Sequence, residues 1–503
     1  MKSFNTIPFL IISILTILVN NNIINVKASP ASYRGRSPKL PVNFSGSNEV
    51  EKRQSNDTGG GFSWGHDPMR GVNIGGWLVL EPWITPSLFL NKPDWVVDEW
   101  TYGVYMSYQN DTMGEIRNHW NTWFKYQELK DIAAVGLNTI RIQIGFWSVI
   151  PLQNGEPYLV GAYDYLKLAV TWAASLGLKV MIDLHGAPGG QNSWDNSGIR
   201  GVREWFYNDT NIERTLDALT IMTGEFVKDQ YQNTVIAIEV LNEPFPNNPN
   251  EVNILKSFYQ AAYSRIRDSA QGKRVTVALD QAYQGLYVWE NFMMDPDYWD
   301  VAMDTHIYSM FDLNLLSMGY NANLDWYCSQ VDYLRQSNNI HWTIVGEWTP
   351  ANTDCAFWLN GKGRGARYDN TLTTSDPLQF PGDCSAKTGS DPSKFSAEYV
   401  DYLARSFEIQ SWVYEQASGY VVWTWKTEQA SDWSMQTGIT YGWVPNPITA
   451  KPHGTPCTNH NYSSSNSTSS DSVSSSIHPG MSHLIISIFI VQLFSHCILN
   501  SFI

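Results

Sequence analysis

The sequence predicts an α/β fold, a (β/α)8 TIM barrel built as a single domain with long loops. Short β-branched runs recur eight times between residues 71 and 425, and stretches of helical period separate several of them. No low-complexity linker or solenoid-length repeat interrupts residues 62 to 457. Parallel strands covered by helices read as near-continuous apolar runs, as these do. A doubly wound open sheet is the other fold of this alternation, but no glycine-rich phosphate loop follows the first run.

In chain order the strands are expected at GVNIGG (71–76), LNTIRIQI (137–144), LKVMIDL (178–184), TVIAIEV (234–240), RVTVALD (274–280), VAMDTHI (301–307), WTIVGE (342–347) and YVVWTW (420–425). AYDYLKLAVTWAASLG (162–177) and VNILKSFYQAAYSRIRDS (252–269) space their apolar residues at three and four, which predicts helices. The domain is long for this fold. The surplus falls in loops, above all 351–395, rich in Gly, Asp, Ser and Thr and holding two cysteines.

The ends read as processing signals. Lys2 precedes an apolar run, and Val26 and Ala28 suit a signal peptidase, so residues 1–28 are expected to be a signal peptide. Residues 29–53 are expected to be a propeptide ending in Lys52-Arg53, with the mature chain starting near Gln54 and a single domain over 54–457. Residues 458–476 are a serine-rich stalk, and 477–503 an apolar tail with no cationic residue after it. That pattern predicts exchange of the tail for a glycosylphosphatidylinositol (GPI) lipid at a small residue between Ser469 and Ser475. An ordinary transmembrane span is the competing reading of the tail.

With Cys497 in the tail, Cys328, Cys355, Cys384 and Cys457 form an even set suited to an oxidising compartment, with three possible pairings. Asn56, Asn110, Asn208, Asn461 and Asn466 head N-glycosylation sequons, and Asn43 heads one in the propeptide. A formal net charge of −15 argues against a nucleic-acid partner, whose phosphates need a basic footprint. The 22 Trp and 26 Tyr suit a neutral carbohydrate polymer, because flat apolar faces with polar tips match sugar rings.

Barrels act at the carboxyl ends of their strands. The residues expected there are Glu81 after strand 1, Arg141 in strand 2, His185 after strand 3, Asn242 and Glu243 after strand 4, His306 and Tyr308 after strand 6, Glu347 ending strand 7, and Trp423 or Trp425 on strand 8. Glycoside hydrolysis needs two carboxyl groups, which Glu243 and Glu347 can supply from opposite sides of a barrel mouth. Asn242 suits a sugar 2-hydroxyl, and Arg141 and Tyr308 suit an ionised nucleophile. His185 and His306 suit hydrogen bonds to sugar or carboxylates. The histidines are scattered singly, without HExxH or CxxC spacing, so no metal and no cofactor is expected. No G-x-S-x-G elbow follows a strand, which argues against a serine nucleophile.

On the stretches RGVNIGGWLVLEPWITPSLF, IRIQIGFW, IDLHGAPGGQNSWDNSG, LNEP, HIYSMF, VGEW and VVWTWKTEQASDWSMQ, the chain resembles the fungal, yeast-type exo-β-1,3-glucanases of glycoside hydrolase family 5, in a GPI-anchored form. The resemblance covers most of residues 68–457. It implies Glu243 as acid/base, Glu347 as nucleophile, and Arg141, His185, Asn242, His306, Tyr308 and Trp425 as the rest of the catalytic set. Glu81 beside Trp83 would grip the terminal glucose, Asn196 would join the substrate-binding residues, and Trp194 and Phe311 would clamp the sugar on the leaving-group side. A tryptophan stands at residue 194 where such enzymes carry phenylalanine. The implied disulfides are Cys328 with Cys457 and Cys355 with Cys384.

The resemblance thus implies a retaining exo-glucosidase that acts on cell-wall β-1,3-glucan. It would be secreted to the cell surface or wall, touch the membrane only through its lipid, and act as a monomer. A wall-remodelling transglycosylase and a non-catalytic glucan-binding protein are the rival functions.

Overall fold

The computed structural model describes residues 61–457 except 154, 232, 455 and 456. The expected signal peptide, propeptide, stalk and tail, and the sequons at Asn56, Asn461 and Asn466, lie outside the described residues.

Strands β1 (Met69–Asn73), β2 (Thr139–Gly145), β3 (Lys179–Gly186), β4 (Val235–Glu239), β5 (Thr276–Asp280), β6 (Val301–His306), β7 (Trp342–Glu347) and β8 (Gly419–Val422) close into one barrel in chain order. Every pair is parallel, including β1 with β8. After β1 come α1 (Glu99–Met106), α2 (Gly114–Trp123) and α3 (Tyr126–Ala134). Then α4 (Ala162–Ser175) follows β2, α5 (Asp209–Phe226) follows β3 and α6 (Pro249–Ser269) follows β4. Among the described residues β5 is followed only by a 3-10 turn, Leu286–Trp289. Next, α7 (Leu313–Leu316), α8 (Tyr320–Cys328) and α9 (Val331–Ile340) follow β6, α10 (Ala397–Tyr414) follows β7, and α11 (Met435–Tyr441) follows β8.

Two strand ends differ from expectation. β1 stops at Asn73 and β8 at Val422, so GVNIGG and YVVWTW each run from strand into loop. The composition stays apolar because these loops are themselves buried: Ile74, Trp77, Trp423 and Trp425 are all under 5% exposed.

The barrel interior is divided by depth. At the amino-terminal end Met69, Met181, Ala237, Ala278, Ala302, Ile344 and Val421 form an apolar cluster with Phe62 and Trp64. Trp64 stacks on Trp342 with ring centroids 5.5 Å apart. Three alanines leave room for these large rings, which is how a small barrel fills its taper. Two residues further along the strands the inward positions turn polar: Asp183, Glu239, Asp280 and Asp304 are all buried.

The loop after β1 is held from outside by α2. Trp123 Nε1 donates to Gly75 O at 3.1 Å, and Trp77 Nε1 donates to Trp120 O at 2.9 Å. His119 Nε2 lies 2.8 Å from Gly76 O and 3.1 Å from Trp77 O, so it is the protonated ring nitrogen. The disulfides are Cys328–Cys457 and Cys355–Cys384. The first spans 129 residues and ties the end of the described chain to α8. Among the described residues no helix is long and apolar enough to cross a membrane.

His119 gives the fold a measurable pH dependence. Burial pushes its pKa down to about 4 from an ordinary 6.5, so the native state holds it neutral while the unfolded state takes up a proton below 6.5. Its contribution is fully present above pH 6.5 and is lost as pH falls toward 4, about 3 kcal/mol in all. Denaturant titrations between pH 4 and 7 are expected to show this slope in the wild type, and a shallower one in His119→Gln.

Candidate active site

The polar layer is organised by one side chain. Arg141, on β2 and fully buried, donates from Nε to Glu239 Oε2 at 2.7 Å and from Nη1 to Asn73 Oδ1 at 3.0 Å and Glu347 Oε1 at 2.9 Å. Its Nη2 donates to Asn242 Oδ1 at 2.8 Å and stands 3.1 Å from Asp183 Oδ2. The planar fork of guanidinium donors allows this fan of contacts, where a lysine would offer one point charge. Asp183 in turn lies 2.6 Å from His185 Nδ1, which leaves His185 Nε2 facing the mouth. Gln191 Nε2 ties the loops, donating to the carbonyls of His185 at 2.8 Å and Asn242 at 3.0 Å.

Glu347 ends β7 directly after Gly346. A Cβ at residue 346 would stand 2.0 Å from Asp304 Oδ2, so only glycine lets β6 and β7 approach here. The Gly346 amide donates to Asp304 Oδ1 at 2.7 Å, and the register shift at Thr305/His306 pairs His306 with Glu347. Tyr308 donates its hydroxyl to Glu347 Oε2 at 3.1 Å. Glu347 therefore receives a cationic and a neutral donor, one on each oxygen.

Glu243 stands past the end of β4 with φ +46°, a left-handed conformation seldom adopted by a residue with a Cβ. That turn aims its carboxylate back over the barrel. His306 Nδ1 is 2.8 Å from Oε1, and Asn196 Nδ2 donates to Oε2 at 3.4 Å. An oxygen of Glu243, an oxygen of Glu347 and a His306 nitrogen all lie within 4.8 Å of one another.

His306 touches both carboxylates and the buried acids beneath them. Nδ1 is 3.5 Å from Glu347 Oε2, and Nε2 is 3.7 Å from Asp280 Oδ2 and 3.8 Å from Asp304 Oδ2. Burial alone would pull this imidazole down, but Glu347, Asp304, Glu243 and Asp280 hold its pKa well above the ordinary value. Burial pushes Asp280 up to about 7 and raises Glu239 above its ordinary value against the pull of Arg141. At Glu243 burial opposes His306 and Tyr283, and the latter prevail, leaving it below its ordinary value. At Glu347 burial, helped by Glu243, outweighs His306 and Arg141 and leaves it above.

At the rim, Trp83 Nε1 donates to Glu81 Oε2 at 2.9 Å, and Trp83 packs edge-on against Trp433. Burial raises Glu81 well above the carboxylate range and Asp195 to about 6. Glu81 Oε1, Asp195 Oδ2, His185 Nε2 and Asn242 Nδ2 are buried without a protein partner. Such atoms are costly unless a ligand pairs them, and hydroxyl-rich ligands can do so.

Trp194, half-buried, packs against Phe245 and Tyr283 with centroids 5.4 and 5.2 Å away, and Asn192 Oδ1 accepts from its backbone amide. Phe311 lies against Tyr308 at 5.6 Å, under the Arg367 guanidinium at 5.4 Å. Arg367 is held by Asp354 at 3.0 Å inside the loop that Cys355–Cys384 closes. Lys362 of that loop donates to the carbonyls of Lys92, Pro93 and Val96 and fixes it to the loop after β1.

One expected residue is not brought to the carboxylates. Trp425 sends its indole N–H outward to Glu128 of α3 at 3.3 Å. Trp423 takes the inner place, stacking parallel to His185 with centroids 5.8 Å apart. Because β8 ends at Val422, the two-residue alternation that would put both tryptophans on one face no longer governs them. Sequence reasoning also missed Asp183, Asp195, Glu239, Asp280, Tyr283 and Asp304. Asp183 and Asp304 each precede a site histidine by two residues, which places them on the same inward face.

The profile described as cellulase, glycosyl hydrolase family 5, matches residues 106–363. A glucan 1,3-beta-glucosidase of Blumeria graminis is 39% identical over 395 residues, covering 78% of this chain and 89% of that protein. A probable glucan 1,3-beta-glucosidase A of Aspergillus niger is 40% identical over 377 residues, covering 75% and 86%. Among solved structures, rutinosidase from Aspergillus niger superposes with a TM-score of 0.57 at 18% identity, over 76% of this chain and 98% of that one. That likeness is one of fold.

Removing the organising cation tests the architecture of the site. Arg141→Met leaves buried carboxylates uncompensated and is expected to destabilise the domain by about 3 to 5 kcal/mol, read from urea unfolding at neutral pH. The loss should shrink as pH falls and the carboxylates are protonated.

Proposed function

The chain belongs to glycosyl hydrolase family 5, and we propose that it is a retaining glucan exo-1,3-β-glucosidase, releasing glucose from the non-reducing ends of β-1,3-glucan. The observation that carries the reading is the pair of carboxylates with oxygens within 4.8 Å, held in different surroundings. Inverting enzymes need about 6.5 to 9.5 Å to seat a water between sugar and base, whereas retaining ones bring the carboxyl groups to about 5 to 5.5 Å.

In this proposal Glu347 is the nucleophile. Arg141 and Tyr308 donate to its ionised form, and it bonds to the anomeric carbon as the glycosidic bond breaks. Glu243 is the acid/base. It gives a proton to the leaving oxygen and later takes one from the water that cleaves the glucosyl-enzyme.

In the free site Glu243 is the ionised partner of protonated His306, across a contact of 2.8 Å. A sugar filling the pocket excludes water and disfavours the separated charges, so the proton moves from Nδ1 to Oε1 and the acid is armed. Asn242 Nδ2 suits the 2-hydroxyl, while Glu81, Asp195 and His185 suit the remaining hydroxyls of one glucose. Trp194 and Phe311 offer faces for the next sugar. Exo action is supported by the disulfide-closed loop, pinned by Lys362 across the loop after β1.

The family and its relatives support a secreted enzyme of the cell wall. We extend this to a monomer tethered by a GPI lipid, a reading supported by the serine-rich stalk and apolar tail of the sequence.

Two tests follow. Glu347→Gln is expected to abolish glucose release from laminarin with an unchanged unfolding midpoint. Glu243→Gln is expected to lose about 100- to 10,000-fold in kcat/KM on laminarin but far less in kcat/KM on an aryl glucoside, whose leaving group needs no proton. Equal losses on both substrates would contradict the acid assignment. Asp280→Asn removes a negative charge beside His306, so the pair should give up its proton at lower pH. The alkaline limb of kcat is expected to move acidward.

A further inference from the structure

We propose that Asn208 carries an N-linked glycan whose first sugars lie in the groove between α5 and α6. The inference rests on reading the chain as secreted. Asn208-Asp209-Thr210 is a sequon, and all three residues are exposed. Asn208 is also the N-cap of α5: its Oδ1 accepts from the Thr210 amide at 3.0 Å. Cap and modification use different atoms of one amide. Transfer takes a proton from Nδ2 and joins that nitrogen to the anomeric carbon of a polyprenyl-diphosphate-linked oligosaccharide, the diphosphate leaving with the bonding pair. Oδ1 keeps its lone pairs, so the helix stays capped.

Beside this attachment point lies a groove of about 440 Å³. Ile212, Ile254 and Phe258 give it an apolar floor, and Asp209, Asn253 and Ser257 a polar rim. The volume is in the range of about 300 to 1,000 Å³ that holds small ligands, and the lining suits a sugar ring, which has an apolar face and hydroxyl edges. Asp209 follows Asn208 directly and is itself part of the lining, so a glycan attached there begins at the rim. Once seated, it covers apolar surface shared by two helices. The α6 side is already cross-tied to the loop before α5, since Arg203 pairs with Glu251 at 2.7 Å. Asn110, also a sequon and exposed, lies in the turn between α1 and α2 and serves as the internal reference.

The full chain, secreted from a glycosylating fungal host, tests this by peptide mapping and timed endoglycosidase digestion. Asn208 is expected to be occupied, and its glycan to be released at least tenfold more slowly from the native protein than from the denatured one. Ser257→Tyr, which fills the groove, should keep the glycan but abolish that protection. Two variants separate glycan from cap: Asn208→Asp retains a capping oxygen, and Thr210→Ala leaves the cap untouched. Both should lose the glycan and lower Tm by roughly 2 °C. An unmodified Asn208 overturns the proposal. If Asn110 is then occupied, the secretory reading stands without it; if neither is, both fall. Equal release rates in native and denatured protein, or protection that survives Ser257→Tyr, also overturn it.

Discussion

Six of the eight strands meet, directly or through the residue just beyond their end, at the guanidinium of Arg141. From β2 it reaches Asn73 on β1, Asp183 on β3, Glu239 on β4 with Asn242 beyond it, Asp304 on β6 at 3.9 Å and Glu347 on β7. A buried ion cluster of this kind is rarely more stable than a well-packed apolar layer, because desolvation opposes the Coulomb gain. The layer below it is apolar and closely packed, so the fold can do without charge where no chemistry is needed.

The division by depth explains much else. Once a cation and several carboxylates share a dry space, protons must be distributed among them, and the geometry decides where they go. Burial raises the pKa of Asp280 and of Glu239, and His306 lies between Asp280 and the two mouth carboxylates. His306 thus links the buried acids to the two carboxylates at the mouth. Glycine at 346 and the left-handed turn at Glu243 are backbone conditions for the same end: one lets β6 and β7 close up, the other turns a carboxylate back over the barrel.

The barrel was legible because buried parallel strands write themselves as apolar runs, and the mouth because carboxyl ends of strands are where polar residues have few structural reasons to be. Glu243, Glu347, Arg141 and His306 could be found that way. Asp183, Glu239 and Asp304 could not, since they sit inside the apolar runs, where expectation favours an apolar interior; the two-residue spacing of Asp183 to His185 and of Asp304 to His306 was the available signal. Trp423 and Trp425 share the parity of an extended strand, so only the early end of β8 distinguishes the one beside His185 from the one against α3. Proton distribution was out of reach of sequence altogether, because it depends on distances of 2.8 to 3.7 Å between residues far apart in the chain.

The central claim is that Glu347, held by Arg141 and Tyr308, forms a bond to the sugar while Glu243 moves the proton. Incubation with 2-deoxy-2-fluoro-β-glucosyl fluoride, whose electron-withdrawing fluorine slows breakdown of a glycosyl-enzyme, followed by peptide mapping, tests it directly. The account expects one fluoroglucosyl group on the peptide containing Ile344-Val345-Gly346-Glu347, attached at Glu347. A label on Glu243, or complete turnover with no labelled protein at any time, would contradict it.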